Sequence, residues 1–245
     1  MLVHGLGLNR QSWTWQVTAL AETYRVISFD LYGHGESAAP PATPSLTLFS
    51  EQILQLLDEL HIAKAAVIGF SLGGMIARRF AMDHADRLWA LAILHSAHAR
   101  DTAAQAAIQA RVHQAREFGP GATVEAALQR WFTDGFRKAN PAMMDQVRQW
   151  IMANRKEIYA PIYQVLADGV TELIKPEPPI TVPALVMTGE EDFGNSIEMS
   201  RAIAAEIPEA SLVILGGLRH MAMMEAPDRF NGELMSLLAM VSARR

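Results

Sequence analysis

The sequence predicts an α/β fold: a mostly parallel central sheet flanked by helices, with a helical lid inserted into it. Three observations predict this. Short β-type apolar runs alternate with helical patterns at both ends of the chain, the middle shows helical patterns only, and that middle closes on a stiff proline run.

Taken in order, Leu2 and Val3 end a strand that turns through His4–Gly5–Leu6–Gly7. Residues 26–29 form a second strand, followed by the turn-rich Asp30–Leu31–Tyr32–Gly33–His34–Gly35–Glu36–Ser37 and a proline-rich stretch. A helix over about 47–60 shows its apolar face at Phe49, Ile53, Leu56, Leu57 and Leu60. Residues 65–68 are a strand running through Gly69 into a helix over 72–84, and 90–94 is a third buried strand. Between about 98 and 180 no strand pattern occurs, and Gly119–Pro120–Gly121 and Asn140–Pro141 divide the helices. Lys175–Pro176–Glu177–Pro178–Pro179 ends this region as an extended segment, because proline fixes its own φ and bars the preceding residue from the helical region. Strands at 184–187 and 212–215 flank a helix near 197–207. Phe230, Leu234, Leu237, Leu238 and Val241 mark a closing helix. The expected organisation is a core of residues 1–97 and 181–245 with a lid at 98–180.

Composition narrows the function. The 245 residues are 50% hydrophobic and 19% charged, with 21 Lys+Arg against 26 Asp+Glu and a net charge of −5. Such a chain folds, and its length fits one large domain with an insertion. With an acidic balance and no clustered basic run, neither nucleic acid nor a membrane is an expected partner; a small molecule is. No apolar run approaches the ~18 residues that span a bilayer, and no signal-peptide pattern opens the chain, so a cytoplasmic protein is expected. The absence of cysteine removes disulfides and thiolate catalysis, which leaves an oxygen or nitrogen nucleophile.

Gly69–Phe70–Ser71–Leu72–Gly73 fits G-x-S-x-G. The bare pattern is a weak signal; its place between a strand and a helix makes it informative. A strand running straight into a helix needs a sharp turn with a strained tip, and flanking glycines remove the Cβ atoms that would collide there. Ser71 is therefore the expected nucleophile. A hydroxyl needs a base, itself oriented by a carboxylate. Of eight histidines, His220 is preferred because it follows the last strand and the loop Gly216–Gly217–Leu218–Arg219, on the side of the sheet where strand C-termini and ligands gather. His4 and His34 lie in glycine turns, His61 and His84 near helix ends, and His113 in the lid; His95 and His98 follow a strand with no matching acid in view. Thr188–Gly189–Glu190–Glu191–Asp192 offers three carboxylates, of which Asp192 lies deepest in its loop. The expected triad is Ser71, Asp192 and His220. The backbone N–H groups of Leu72 and Leu6 are the expected oxyanion donors.

On these motifs the chain resembles the α/β-hydrolase superfamily over its whole length: His4–Gly5–Leu6–Gly7, the Asp30–Ser37 turn, the elbow at Ser71, the acid loop at Asp192, and Arg219–His220 through Glu225–Ala226–Pro227 to Phe230–Asn231. It is most similar to lidded enol-lactonases, carboxylesterases and carbon–carbon bond hydrolases. The resemblance implies that Trp131 and Phe132 overlook the site. It also sets a departure: family members usually carry two further strands before the glycine turn. Without them the strand at 26–29 becomes an exposed apolar edge, so a homodimer or marginal stability is expected.

The expected function is a cofactor-free serine hydrolase of a small carboxylic ester or lactone acting through an acyl-enzyme. The alternatives are carbon–carbon hydrolysis of a ring-fission product, or a ligand receptor that keeps the triad without turnover. A carboxylate-bearing substrate would call for a cation near the site, and Arg219 is the candidate. Metal-assisted hydrolysis is disfavoured because neither HExxH nor a clustered His/Asp set appears, so no metal is expected.

Overall fold

The computed structural model describes residues 1–243; the last two residues of the expected core segment lie outside the described residues. Six strands form one parallel sheet: β1 (Leu2–Val3), β2 (Ser28–Phe29), β3 (Ala65–Phe70), β4 (Leu88–Leu94), β5 (Ala184–Gly189) and β6 (Ala210–Leu215), in the order β2-β1-β3-β4-β5-β6. Parallel neighbours need crossovers, which the helices supply. Side chains alternate between the two faces. On one, Val3, Val67, Leu91, Ile93 and Val186 meet α2 (Leu46–Glu59), α3 (Leu72–Asp83) and α9 (Ile197–Ala205). On the other, Leu2, Ile68, Phe70, Leu94, Leu185 and Met187 meet α1 (Thr14–Leu20) and α11 (Pro227–Ser242). Both faces of the sheet are covered, which is why the strands read as near-continuous apolar runs.

Three elements differ from expectation at the start of the chain. A 3₁₀ turn at Arg10–Trp13 and helix α1 follow the glycine turn, capped by Asn9 and anchored by fully buried Trp13. The strand expected at 26–29 is only two residues long. It is the edge strand, as the sequence suggests, but Ile27 and Phe29 are half-buried against the core.

Between β4 and β5 the chain makes helices α4 (Thr102–Phe118), α5 (Gly121–Trp131), α6 (Asp134–Ala139), α7 (Pro141–Met152) and α8 (Lys156–Asp168), then a 3₁₀ turn at Gly169–Leu173. Asp101 and Thr133 cap α4 and α6 through their side chains, and Pro141 opens α7, where its missing N–H costs nothing. Buried Arg78 of α3 donates to the carbonyls of Ala97 (3.2 Å) and Leu173 (2.6 Å), so one guanidinium holds both roots of the inserted helices. Arg78 also pairs with Glu206 at 3.3 Å.

Because the strands are parallel and in register, the residues after β3, β4, β5 and β6 emerge at the same end of the sheet. Position 71 follows β3, position 95 follows β4, the 190–195 loop follows β5 and position 220 lies beyond β6. A small helix, α10 (Ala222–Glu225), follows.

Candidate active site

β3 ends at Phe70 and α3 begins at Leu72, so Ser71 makes the whole turn alone, with φ 56° and ψ −114°. A positive φ in a residue with a side chain is strained by about 1–3 kcal/mol and survives only where the surroundings over-determine it. They do so here. A Cβ at Gly69 would overlap the Gly73 carbonyl, and one at Gly73 would overlap the Val3 carbonyl. Ser71 N–H donates to Leu94 O at 2.8 Å, and Ser96 Oγ donates to Ser71 O at 3.0 Å.

His220 and Ser71 line one cavity. The Nδ1 of His220 is 2.7 Å from Asp192 Oδ2. With Nδ1–H donating to the carboxylate, the lone pair sits on Nε2. The imidazole is held between the rings of Phe70 (4.9 Å) and Trp131 (5.7 Å). Asp192 Oδ1 accepts from the N–H groups of Gly194 and Asn195, both at 3.1 Å. Glu190 and Glu191 turn outward, to the Gly217 N–H and to Arg219. Burial pushes the Asp192 pKa up, but the charge and hydrogen bond of His220 and the bond from His95 prevail and hold it below the usual carboxylate range.

His95 is the residue sequence reasoning set aside. It was expected to have no acid, yet its Nδ1 lies 2.9 Å from the same Asp192 Oδ2, and its ring is fully buried with φ 49°. Burial lowers its pKa, opposed by Asp192. The signal that finds it is the sheet order: β4 and β5 are neighbours, Leu94 pairs with Met187, and their following loops must meet. The expectation of no clustered His/Asp set is thereby corrected, since ligand-type atoms of His95, Asp192 and His220 lie within 4.8 Å of one another. The spacing is that of hydrogen bonds. Tetrahedral ligands with bonds of about 2.0–2.1 Å stand roughly 3.3 Å apart, wider than 2.7 and 2.9 Å.

The glycine turn beside Ser71 is braced by the two histidines read from sequence as turn residues. His4 Nε2 accepts the Leu31 N–H at 3.0 Å, while its Nδ1 meets Gly5 O at 2.8 Å. His34 Nε2 accepts the Gly7 N–H at 3.0 Å. Burial lowers His4 to about 4 and His34 to about 3, so both are neutral near pH 7. Leu6 lines the cavity, and Leu72 opens α3, where an N–H has no helical acceptor.

Of the substrate contacts expected, Trp131 lines the cavity. Phe132 does not; it is fully buried and stacks on Phe136, because the end of α5 turns it into the lid core. Arg219 is also corrected. Its guanidinium reaches away from the cavity to the carbonyls of Gln129 and Phe132 and to the carboxylates of Asp134 and Glu191, tying α5 and α6 to the acid loop. Arg100, Arg111, Arg130, Tyr159 and Tyr163 do line the cavity; the last four sit on lid helices whose rotation cannot be derived from their own periodicity.

The model of the alpha/beta hydrolase family matches residues 1–233. A curated relative, (E)-2-((N-methylformamido)methylene)succinate hydrolase of Acinetobacter baylyi, is 26% identical, covering 97% of this chain and 89% of that protein. The 3-oxoadipate enol-lactonase 2 of the same organism is 28% identical over 93% of this chain and 84% of its own length. Among solved structures, the enol-lactonase of Burkholderia xenovorans superposes with a TM-score of 0.88 at 31% identity, covering 97% of this chain and 90% of that one.

Proposed function

Because this chain belongs to the alpha/beta hydrolase family, we propose that it cleaves a small carboxylic ester or lactone through Ser71, His220 and Asp192. The observation that carries this reading is the 2.7 Å Asp192–His220 bond in a cavity that Ser71 also lines. The lactonase names of the 3-oxoadipate enol-lactonase 2 and the Burkholderia xenovorans enol-lactonase support an ester or lactone bond.

In the proposed reaction, His220 Nε2 takes the Ser71 proton as Oγ attacks the substrate carbonyl. Asp192 holds the imidazole in the tautomer that leaves Nε2 free and stabilises the imidazolium that forms. The N–H groups of Leu6 and Leu72 face the oxyanion, each contributing about a hundredfold or more in rate. His220 then protonates the leaving oxygen. Water, activated by the same nitrogen, releases the acyl group and restores Ser71.

The test is hydrolysis of p-nitrophenyl acetate. Repeated turnover is expected in the wild type and a loss of roughly 10³-fold or more in Ser71→Ala. A fluorophosphonate should label Ser71. Undiminished turnover in Ser71→Ala, or one stoichiometric acylation with no further release, would overturn the proposal; the latter is what a receptor would give.

A further inference from the structure

We propose that the substrate of the Ser71 cavity carries two free carboxylates and that Arg100, Arg111 and Arg130 bind them. The proposal rests on the serine hydrolase reading, whose reacting ester or lactone it anchors by its anionic groups.

The three arginines line the cavity that contains Ser71 and His220. They converge from separate places: Arg100 precedes α4, Arg111 lies within α4 and Arg130 stands near the end of α5. All three are half-buried, and among the described residues none has a carboxylate within ion-pair distance. On the outer surface of the lid, Arg116 donates to the amide oxygen of Gln164 at 3.1 Å, and three other arginines find acids. Arg137, Arg148 and Arg155 each pair with an acid on the outer surface.

The positive charges also act on one another. Burial first, and then the charge of Arg111, lower the pKa of both Arg100 and Arg130. Grouping like charges in a partly dry cavity costs free energy, and among the described residues no carboxylate at ion-pair distance offsets it. Asp168 is the acid that attracts Arg100, but its oxygens are held by Gln109 and Gln164, both at 2.7 Å. Asp192, the one acid lining the cavity, is occupied by two imidazoles and two backbone N–H groups.

Each guanidinium is held in place while keeping N–H donors to spare. Arg111 Nε donates to Tyr163 Oη at 3.1 Å; Arg100 donates to the carbonyls of Ala167 and Leu166 at 3.1 and 3.2 Å; Arg130 donates to Ala126 O at 2.9 Å. A guanidinium has five donors in a planar fork suited to carboxylates, so most remain available. One carboxylate would leave two charges uncompensated. Two carboxylates, one bridging a pair of arginines, bring the cluster close to balance. Phe70, Ile108, Ala127 and Trp131 line the rest, which suits a compact hydrocarbon body between the anionic groups.

The test compares p-nitrophenyl esters with zero, one and two free carboxylates: the butyrate, the hydrogen glutarate and the monoester of propane-1,2,3-tricarboxylate. Because a hydrogen bond to a charged group contributes about 1.5–3 kcal/mol, kcat/KM should rise at least roughly tenfold per carboxylate. Arg111→Gln and, separately, Arg130→Gln should each lower the dianion-to-neutral ratio at least roughly tenfold, and the ratio is read whatever the variant's stability. Equal or better hydrolysis of the butyrate by the wild type overturns the subsite and leaves the serine hydrolase reading standing. Calorimetric binding of propane-1,2,3-tricarboxylate, weakened in Arg111→Gln, supports the subsite. If it occurred with no ester turned over, the hydrolase reading alone would fall.

Discussion

His95 and His220 place their Nδ1 atoms on one carboxylate oxygen, Oδ2 of Asp192, at 2.9 and 2.7 Å. The two rings stand edge to face, 5.6 Å apart at 86°. His95 therefore fixes the same carboxylate oxygen that the base uses, and it draws on the negative charge that His220 uses.

His95→Ala should have two separable effects. Losing a bond to a buried carboxylate and leaving a void should cost about 2–4 kcal/mol in urea unfolding. With Asp192 no longer held by His95, the acid orients His220 less firmly and kcat/KM should fall by roughly tenfold or more. An unchanged kcat/KM would mean that His95 only fills space.

Glycine 73 and glycine 232 should respond oppositely to alanine. At Gly73 the new Cβ meets backbone, the Val3 and His4 carbonyls, so Gly73→Ala should destabilise by several kcal/mol or prevent folding. Gly232 sits within α11 with nothing within 4 Å of an added Cβ. Gly232→Ala should raise stability by about 0.5–1 kcal/mol by thermal unfolding.

Acid should destabilise the fold through the His4–His34 clasp. Both are buried and neutral, with folded pKa values near 4 and near 3 against an ordinary 6.5. Between those limits the unfolded chain binds more protons, so stability is complete above about pH 6.5 and falls as pH drops toward 4. Each histidine contributes a slope of up to about 1.4 kcal/mol per pH unit. Urea midpoints between pH 7 and 5 read this directly. His4→Asn should flatten the slope.

Arg219→Gln should change stability and not selectivity. It loosens the strap between α5, α6 and the acid loop, with a cost of about 1–2 kcal/mol because the side chain is largely buried among carbonyls. The dianion-to-neutral ratio should stay where the wild type has it. A drop matching that of Arg111→Gln would return Arg219 to the substrate.

Local pattern was enough for the strands β3 to β6, the helices α2, α3, α9 and α11, and the sharp turn at Ser71. Each is written in neighbouring residues: alternation or continuous apolarity for strands, 3.6-residue spacing for helices, paired glycines where Cβ atoms would collide. Asp192 and His220 were legible because parallel strands deliver their following loops to one end of the sheet. The 3₁₀ turn at Arg10–Trp13 and α1 have no counterpart in the expected elements, although Asn9 carries the cap of the turn and Trp13, Val17 and Leu20 the spacing of the helix. Tertiary structure alone decided the rest. His95 meets Asp192 only because β4 lies beside β5, an order no local pattern encodes. Arg111 and Arg130 entered the cavity because helix–helix packing sets how each lid helix is rotated, and Arg219, Phe132 and Arg100 took their places from loop and helix-end contacts with distant parts of the chain. The physical reason is range: backbone preference acts over a few residues, whereas charge and burial in the cavity depend on surfaces brought together from distant parts of the chain.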